Sequence, residues 1–114
     1  MNIHPGNSDS LTKVLAGRAY KYTYSSGMAV ELTLDENKAN WAIVGGPNEG
    51  DAGLNDYLAR QIEPDIYFIQ WYEPDVKSTV TLVINERTKQ VFASVVSPED
   101  LEFDVAEVHE ISTS

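Results

Sequence analysis

The feature that most constrains this sequence is a two-residue alternation that begins at Arg18 and recurs along the rest of the chain. In the first run, Tyr20, Tyr22 and Tyr24 share one face, and the residues between them point the other way. Successive side chains of a β-strand point to opposite faces, so this period is typical of strands rather than of an amphipathic helix. Turn-forming residues separate the runs. The pattern predicts strands over residues 19–24, 28–35, 38–44, 65–73, 77–85 and 91–96, and a further run from 101 onward.

Consecutive short strands joined by tight turns favour an up-and-down antiparallel meander, and closing the meander removes its exposed edges. We therefore predict one all-β domain over residues 1–114, an up-and-down barrel of about eight strands. A barrel of that size is wide enough to hold one small ligand. Residues 1–9 are predicted to be a loose lead-in. Asp9 or Ser10 is expected to cap a short helical turn that ends at Gly17.

Three segments leave the secondary structure less defined. Residues 54–62 have a spacing that suits either a short helix or a strand, and both alternatives remain open. Near Ala106 and Glu107 the alternation slips, which suggests a β-bulge. The glycine-rich stretch from Gly45 to Gly53 has no phosphate-binding signature and carries two acids, so we interpret it as a mobile rim loop.

Composition excludes several classes of function. The net charge of −10 repels nucleic acids and anionic membranes, and no apolar run is long enough for a membrane helix. The chain has no cysteine, which excludes disulfides and thiolate sites and fits a reducing compartment. The first ten residues lack an apolar signal core, so a cytoplasmic location is expected. His4 and His109 have no partners at metal-ligand spacing, and we expect neither a metal nor a cofactor.

Aromatic residues and one glutamate are the candidates for a ligand site. Three tyrosines on alternate positions aim their hydroxyls into one space, where they can donate hydrogen bonds to a ligand. Trp71 and Glu73 also share a face, and burial beside an indole would make Glu73 a plausible general acid. The competing interpretations are that aromatics simply fill a core and that Glu73 is solvated at a strand end. The ligand-binding candidates are Tyr20, Tyr22, Tyr24, Trp41, Tyr67 and Trp71.

Several of these residues form a pattern that resembles a known family. The order and spacing of a Tyr-x-Tyr pair, a Gly-Gly element and Trp-x-Glu-Pro are similar to the calycin-fold, lipocalin-like group that contains phenolic acid decarboxylases and MoaF-like proteins. The resemblance covers about residues 17–97. It is carried by Gly17–Gly27 (GRAYKYTYSSG), Glu31, Gly45-Gly46, Ile66-Tyr67, Trp71-x-Glu73-Pro74 and Thr81–Asn85 (TLVIN).

The resemblance implies catalytic roles that the chain supports only in part. In the decarboxylases the Tyr-x-Tyr pair holds the substrate carboxylate and the glutamate handles the proton, which implies these roles for Tyr22, Tyr24 and Glu73. Such enzymes also use an arginine shortly after Gly-Gly, and here residues 47–53 contain no basic residue. Arg60 comes later and out of register. The C-terminal extension typical of the decarboxylases is also missing, so the chain is more similar to the MoaF-like branch.

Three hypotheses follow. The first is a MoaF-like barrel that binds a small aromatic or amphipathic organic molecule. The second is a cofactor-free lyase or isomerase in which the tyrosine pair orients the substrate and Glu73 moves a proton. The third is a homodimer formed through outer aromatics such as Phe68 and Tyr72, and it is compatible with either of the others.

Overall fold

The computed structural model describes residues 13–113, which form eight antiparallel strands closed into one barrel. Each strand pairs with its neighbours in sequence, and the last strand pairs with the first. The sheet therefore has no edge that could pair with another chain. The predicted all-β up-and-down barrel is confirmed. The strands are β1 (Arg18–Tyr24), β2 (Ala29–Leu34), β3 (Lys38–Gly45), β4 (Ala52–Glu63), β5 (Ile66–Glu73), β6 (Ser78–Asn85), β7 (Gln90–Val96) and β8 (Leu101–Thr113).

Alternate side chains of every strand point into the barrel and form its core. In β6 every second residue is buried, from Ser78 to Ile84. The tyrosine stripe of β1 is buried in the same cluster as Trp71 of β5. The even-numbered inward positions of β1 and the odd-numbered ones of β5 thus meet in one enclosed space.

The two ends of the barrel differ. The β2–β3, β4–β5 and β6–β7 turns lie at one end, together with the turn at residues 14–17 that precedes β1. At this closed end Leu15 is fully buried, as are Ile84 and Val91. The β1–β2, β3–β4, β5–β6 and β7–β8 turns surround the opposite end, called the open end below.

The segment that suited either a helix or a strand is part of strand β4. Its first half pairs with β3, where Asp56 lies opposite Lys38, and its second half pairs with β5, where Tyr57 lies opposite Trp71. Tyr57 and Ala59 are buried at alternate positions. Pairing on both sides supplies ladder hydrogen bonds that a short isolated helix could not replace.

The bulge expected near Ala106 and Glu107 is absent from that position. Pairing of β8 with β7 runs without a shift through these residues. The slip in the pattern arises because Leu101, Phe103 and Val105 are apolar residues on the outer face. A bulge in β8 lies instead at His109, since Lys21 pairs with Glu110 whereas the next residue of β1 pairs with Val108.

The N-terminal predictions fall mostly outside the described residues. The lead-in over residues 1–9 and the proposed cap at Asp9 or Ser10 lie there. Within the described part, residues 14–17 form a turn in which Arg18 N donates to Leu15 O at 3.0 Å, and this turn is not a helix.

Over residues 13–113, no helix has the length and apolar character needed to span a bilayer.

The loop within the glycine-rich stretch from Gly45 to Gly53 is shorter than expected, because β3 extends to Gly45 and β4 begins at Ala52. Between them, Ile43 N donates to Asp51 O at 2.8 Å and Gly50 N donates to Ile43 O at 2.9 Å. The connection is therefore a hydrogen-bonded turn on the rim of the open end.

Candidate functional site

A cavity of about 560 Å³ opens at the open end of the barrel. Its volume lies within the range of roughly 300–1,000 Å³ that small-molecule sites usually occupy. Inward side chains of the strands form its walls, and the rim turns form its mouth. The apolar part of the wall includes Val30, Ile43, Val80, Leu82 and Val95.

Two tyrosines of β1 form one wall. The rings of Tyr22 and Tyr24 meet edge to face, with centroids 5.4 Å apart and planes at 87°. Both side chains are buried, and burial raises the pKa of each phenol well above its usual value. The neighbouring Tyr24 raises the pKa of Tyr22 further. Both phenols therefore stay protonated at neutral pH, and a side-chain hydrogen bond links Tyr22 to Tyr24.

Trp71 and Glu73 of β5 line the cavity together. The indole Nε1 of Trp71 donates a hydrogen bond of 2.8 Å to Glu73 Oε2, which orients the carboxylate. Burial raises the pKa of Glu73, and the hydrogen bond from the indole opposes that rise. Within residues 13–113, Glu73 makes no hydrogen bond to Tyr22 or Tyr24, so a ligand would have to bridge these groups.

Trp41 completes the aromatic lining from β3. It lies opposite Gly53, and a Cβ atom at that glycine would come within 2.6 Å of the indole ring. The glycine therefore allows the ring to lie directly against the β4 backbone. Trp41 Nε1 donates to Asn55 Oδ1 at 3.0 Å, and Asn55 Nδ2 donates to Tyr72 O at 3.1 Å. These bonds link the Trp41 ring to β4 and β5.

Among the described residues, every charged side chain that lines the cavity is acidic. Glu73 lies in the wall, and Asp51, Asp75 and Glu102 lie around the rim. Among residues 13–113, no lysine, arginine or histidine lines the cavity. The ion pairs found in the described residues involve none of these four acids.

A protein-family model matches most of the chain. The family model of the MoaF N-terminal domain matches residues 6–98. The chain belongs to the MoaF family. The match includes every aromatic residue of the lining, and of the lining residues only Glu102 lies beyond it.

The solved structures show the same architecture. A crystal structure titled as that of "a putative beta-lactamase" from Burkholderia vietnamiensis superimposes on the MoaF barrel with a TM-score of 0.77. The sequences are 21% identical, and the match covers 84% of this chain and 94% of the other. At that identity the likeness supports the fold alone. A search of curated proteins found no significant match.

Two of the predicted ligand-binding residues lie away from this cavity of the MoaF barrel. Tyr20 is fully buried, and its hydroxyl donates a hydrogen bond of 2.6 Å to Glu86 Oε2 at the closed end. Arg18 also donates to this carboxylate, and its guanidinium lies 5.5 Å from the ring centroid of Tyr67. Tyr20 and Tyr67 thus belong to a closed-end network, whereas Tyr22, Tyr24, Trp41, Trp71 and Glu73 surround the cavity.

Arg18 and Glu86 were not among the predicted site residues, although the sequence held one signal for Arg18. Arg18 has the same parity as the tyrosine stripe, so alternation placed its side chain on the same face as the tyrosines. A buried arginine requires an acidic partner. Nothing local identifies Glu86 as that partner, because the two residues are separated by 68 positions in the chain.

The arginine that the decarboxylases use has no equivalent in the MoaF cavity. Arg60 lies opposite Phe68 on the β4–β5 ladder, among the outward positions of the barrel. His109 lies at the β8 bulge, with Nε2 2.9 Å from Thr23 Oγ1. In the described part of the chain, no group of three or more acidic or histidine side chains is placed to hold a metal ion.

Proposed function

We propose that this MoaF barrel binds a small aromatic or amphipathic organic molecule in the open-end cavity. The observation that carries the proposal is the aromatic lining itself, in which Tyr22, Tyr24, Trp41 and Trp71 from three strands surround one space. Rings of this kind offer a large apolar contact area at a small cost in side-chain entropy. The tyrosine hydroxyls and the Glu73 carboxylate supply the few polar groups that orient a ligand.

Lyase or isomerase chemistry without a cofactor is a second candidate for the same cavity. It is supported by the presence of Tyr22, Tyr24 and Glu73 in the lining of one cavity. It is weakened by the charge of the wall, because a substrate carboxylate would enter a site with four acids and no cation among the described lining residues. We therefore place binding before turnover.

Binding is tested with the uncharged fluorescent probe N-phenyl-1-naphthylamine. The probe fluoresces when it leaves water for an apolar site, so titration into the wild-type protein is expected to give a saturable rise in emission. In the Ile43→Trp variant, an extra ring occupies part of the cavity, and we expect the affinity to fall by at least about tenfold. Val44→Trp adds a ring at a neighbouring exposed position and is expected to leave the affinity within about twofold.

The comparison of the two tryptophan variants decides the outcome. Equal loss of affinity in both would mean that the probe binds the surface or a partly unfolded state. No saturable binding by a folded wild-type protein would contradict the proposed function. Circular dichroism spectra of all three proteins establish that they are folded.

We also propose that a second copy of this chain binds through the outer face to form a homodimer. Phe68, Val83, Phe92 and Val105 form a continuous row across β5, β6, β7 and β8, because each is the ladder partner of the next. Phe103 lies beside this outer apolar face and is 82% exposed. The four residues of this row and Phe103 are uncharged, and the next outward residue of β8 after Val105 is Glu107. Because each copy carries a charge of −10, two copies can approach most closely through an uncharged face.

Light scattering coupled to size-exclusion chromatography measures the mass of the protein in solution and so distinguishes a monomer from a dimer. We expect a mass of twice 12.7 kDa for the wild-type chain at tens of micromolar. Phe103→Glu places a negative charge on the outer apolar face of each copy, and we expect it to give the monomer. Val44→Glu adds the same charge at an exposed apolar position on β3 and is expected to leave the dimer intact. A monomeric wild-type protein would rule out the dimer.

A further inference from the structure

The charge distribution around the cavity restricts the chemistry of its ligand. Glu73 is inside the cavity wall, and Asp51, Asp75 and Glu102 surround the mouth. On β8, Asp104 is close enough to Tyr24 to raise its pKa, although it acts less strongly than burial does. A cleft lined by one sign of charge concentrates molecules of the opposite sign and excludes those of the same sign. An anionic ligand would have to overcome this field.

The aromatic lining has the same preference as the acids. The face of an aromatic ring carries negative electrostatic potential, and tryptophan and tyrosine rings attract ammonium groups within about 6 Å of the ring centroid. Trp71 is held against Glu73 by their hydrogen bond, so a ring and a carboxylate are presented side by side. Tyr22 and Tyr24 add rings from β1, and Trp41 adds one from β3.

We infer that the ligand class of this cavity is an amphipathic organic cation, with its ammonium group beside Glu73 and its apolar body among the rings. The inference rests on the proposed binding function and names the charge of the ligand. An ammonium group next to Glu73 favours the ionised carboxylate, which burial alone disfavours. The bound cation and the carboxylate therefore stabilise each other in a partly desolvated site.

The test compares three one-ring competitors that differ in the charge of the polar group. Benzyltrimethylammonium, benzyl alcohol and phenylacetate are titrated against bound N-phenyl-1-naphthylamine. We expect the cation to bind about tenfold more tightly than the alcohol, which corresponds to an ammonium group on a desolvated aromatic surface. Phenylacetate is expected to bind more weakly than either.

Two variants connect the preference to Glu73. Glu73→Gln removes the charge while keeping the size of the side chain, and we expect the advantage of the cation over the alcohol to fall to about threefold or less. Glu63→Gln removes one negative charge from an exposed residue at the closed end, so it matches the change in net charge. We expect Glu63→Gln to keep the wild-type preference.

Each outcome separates this inference from the binding function. If the probe binds but benzyl alcohol or phenylacetate competes as well as the cation, the cation inference is overturned and the binding function stands. The same conclusion follows if Glu73→Gln and Glu63→Gln behave alike. If the probe itself does not bind the folded wild-type protein, the proposed function fails and the inference fails with it.

Discussion

Replacing Gly46 with alanine is expected to lower the free energy of unfolding by about 3 kcal/mol, whereas the same change at Gly50 costs only about 1 kcal/mol. Both glycines lie in the β3–β4 turn and both have positive φ, 72° and 100° respectively. A Cβ atom at Gly46 would lie 2.2 Å from the carbonyl oxygen of Gly27, which is backbone and cannot rotate away. At Gly50 a Cβ atom meets no atom within 4 Å.

The pair of variants separates backbone conformation from close contact. Alanine pays the cost of a left-handed conformation at both positions, but only at Gly46 must the β1–β2 and β3–β4 turns also separate. Urea unfolding followed by circular dichroism measures both free energies. Similar losses in the two variants would show that the turns can part without cost. Because these turns border the cavity, we also expect Gly46→Ala to weaken binding of N-phenyl-1-naphthylamine.

Replacing Glu86 with leucine is expected to lower the free energy of unfolding by about 3 kcal/mol, since it leaves the charge of Arg18 without its partner at the closed end. The side chains of Arg18 and Glu86 are only 20% and 11% exposed. The hydroxyl of Tyr20 would also lose its acceptor, and an unsatisfied buried donor carries its own cost. The loss thus reflects two unsatisfied groups as well as one broken ion pair.

A double variant shows whether the loss comes from the stranded charge. Combining Glu86→Leu with Arg18→Met removes both charges, and we expect it to regain more than half of the lost stability. The exposed pair Lys38–Asp56 provides the control, because Asp56→Asn breaks a solvated ion pair and is expected to change stability little. A double variant no more stable than Glu86→Leu alone would contradict this account. Probe binding is expected to persist in folded Glu86→Leu, since the cavity lies at the other end.

The two ends of the barrel thus differ in how their polar groups are used. At the closed end, Arg18 and Tyr20 both donate hydrogen bonds to the carboxylate of Glu86. At the open end, the half-buried carboxylate of Glu73 accepts one hydrogen bond from the described residues, from Trp71, and faces a cavity. A carboxylate that faces a cavity and whose pKa is raised by partial burial is typical of a binding or catalytic site.

The sequence by itself determined seven of the eight strands and which residues of each share a face. Because side-chain direction alternates along every strand, the shared face of the β1 tyrosines and that of Trp71 and Glu73 followed from spacing alone. The family resemblance implied that these faces are inward. Turn-forming residues marked most strand boundaries to within a few positions. The family resemblance, carried by Tyr-x-Tyr, Gly-Gly and Trp-x-Glu-Pro, agrees with the MoaF family match over residues 6–98.

Only the tertiary structure decided which of those inward residues meet. Pairing with β3 and β5 made residues 54–62 a strand, which local spacing left open. The stagger of the barrel placed Tyr20 with Glu86 at the closed end and Tyr22 in the cavity, although both belong to one stripe. Alternation is a property of each strand alone, whereas the contacts across the barrel depend on turn lengths, bulges and register between strands. For that reason the inward residues were predictable, and their division between a sealed network and an open cavity was not.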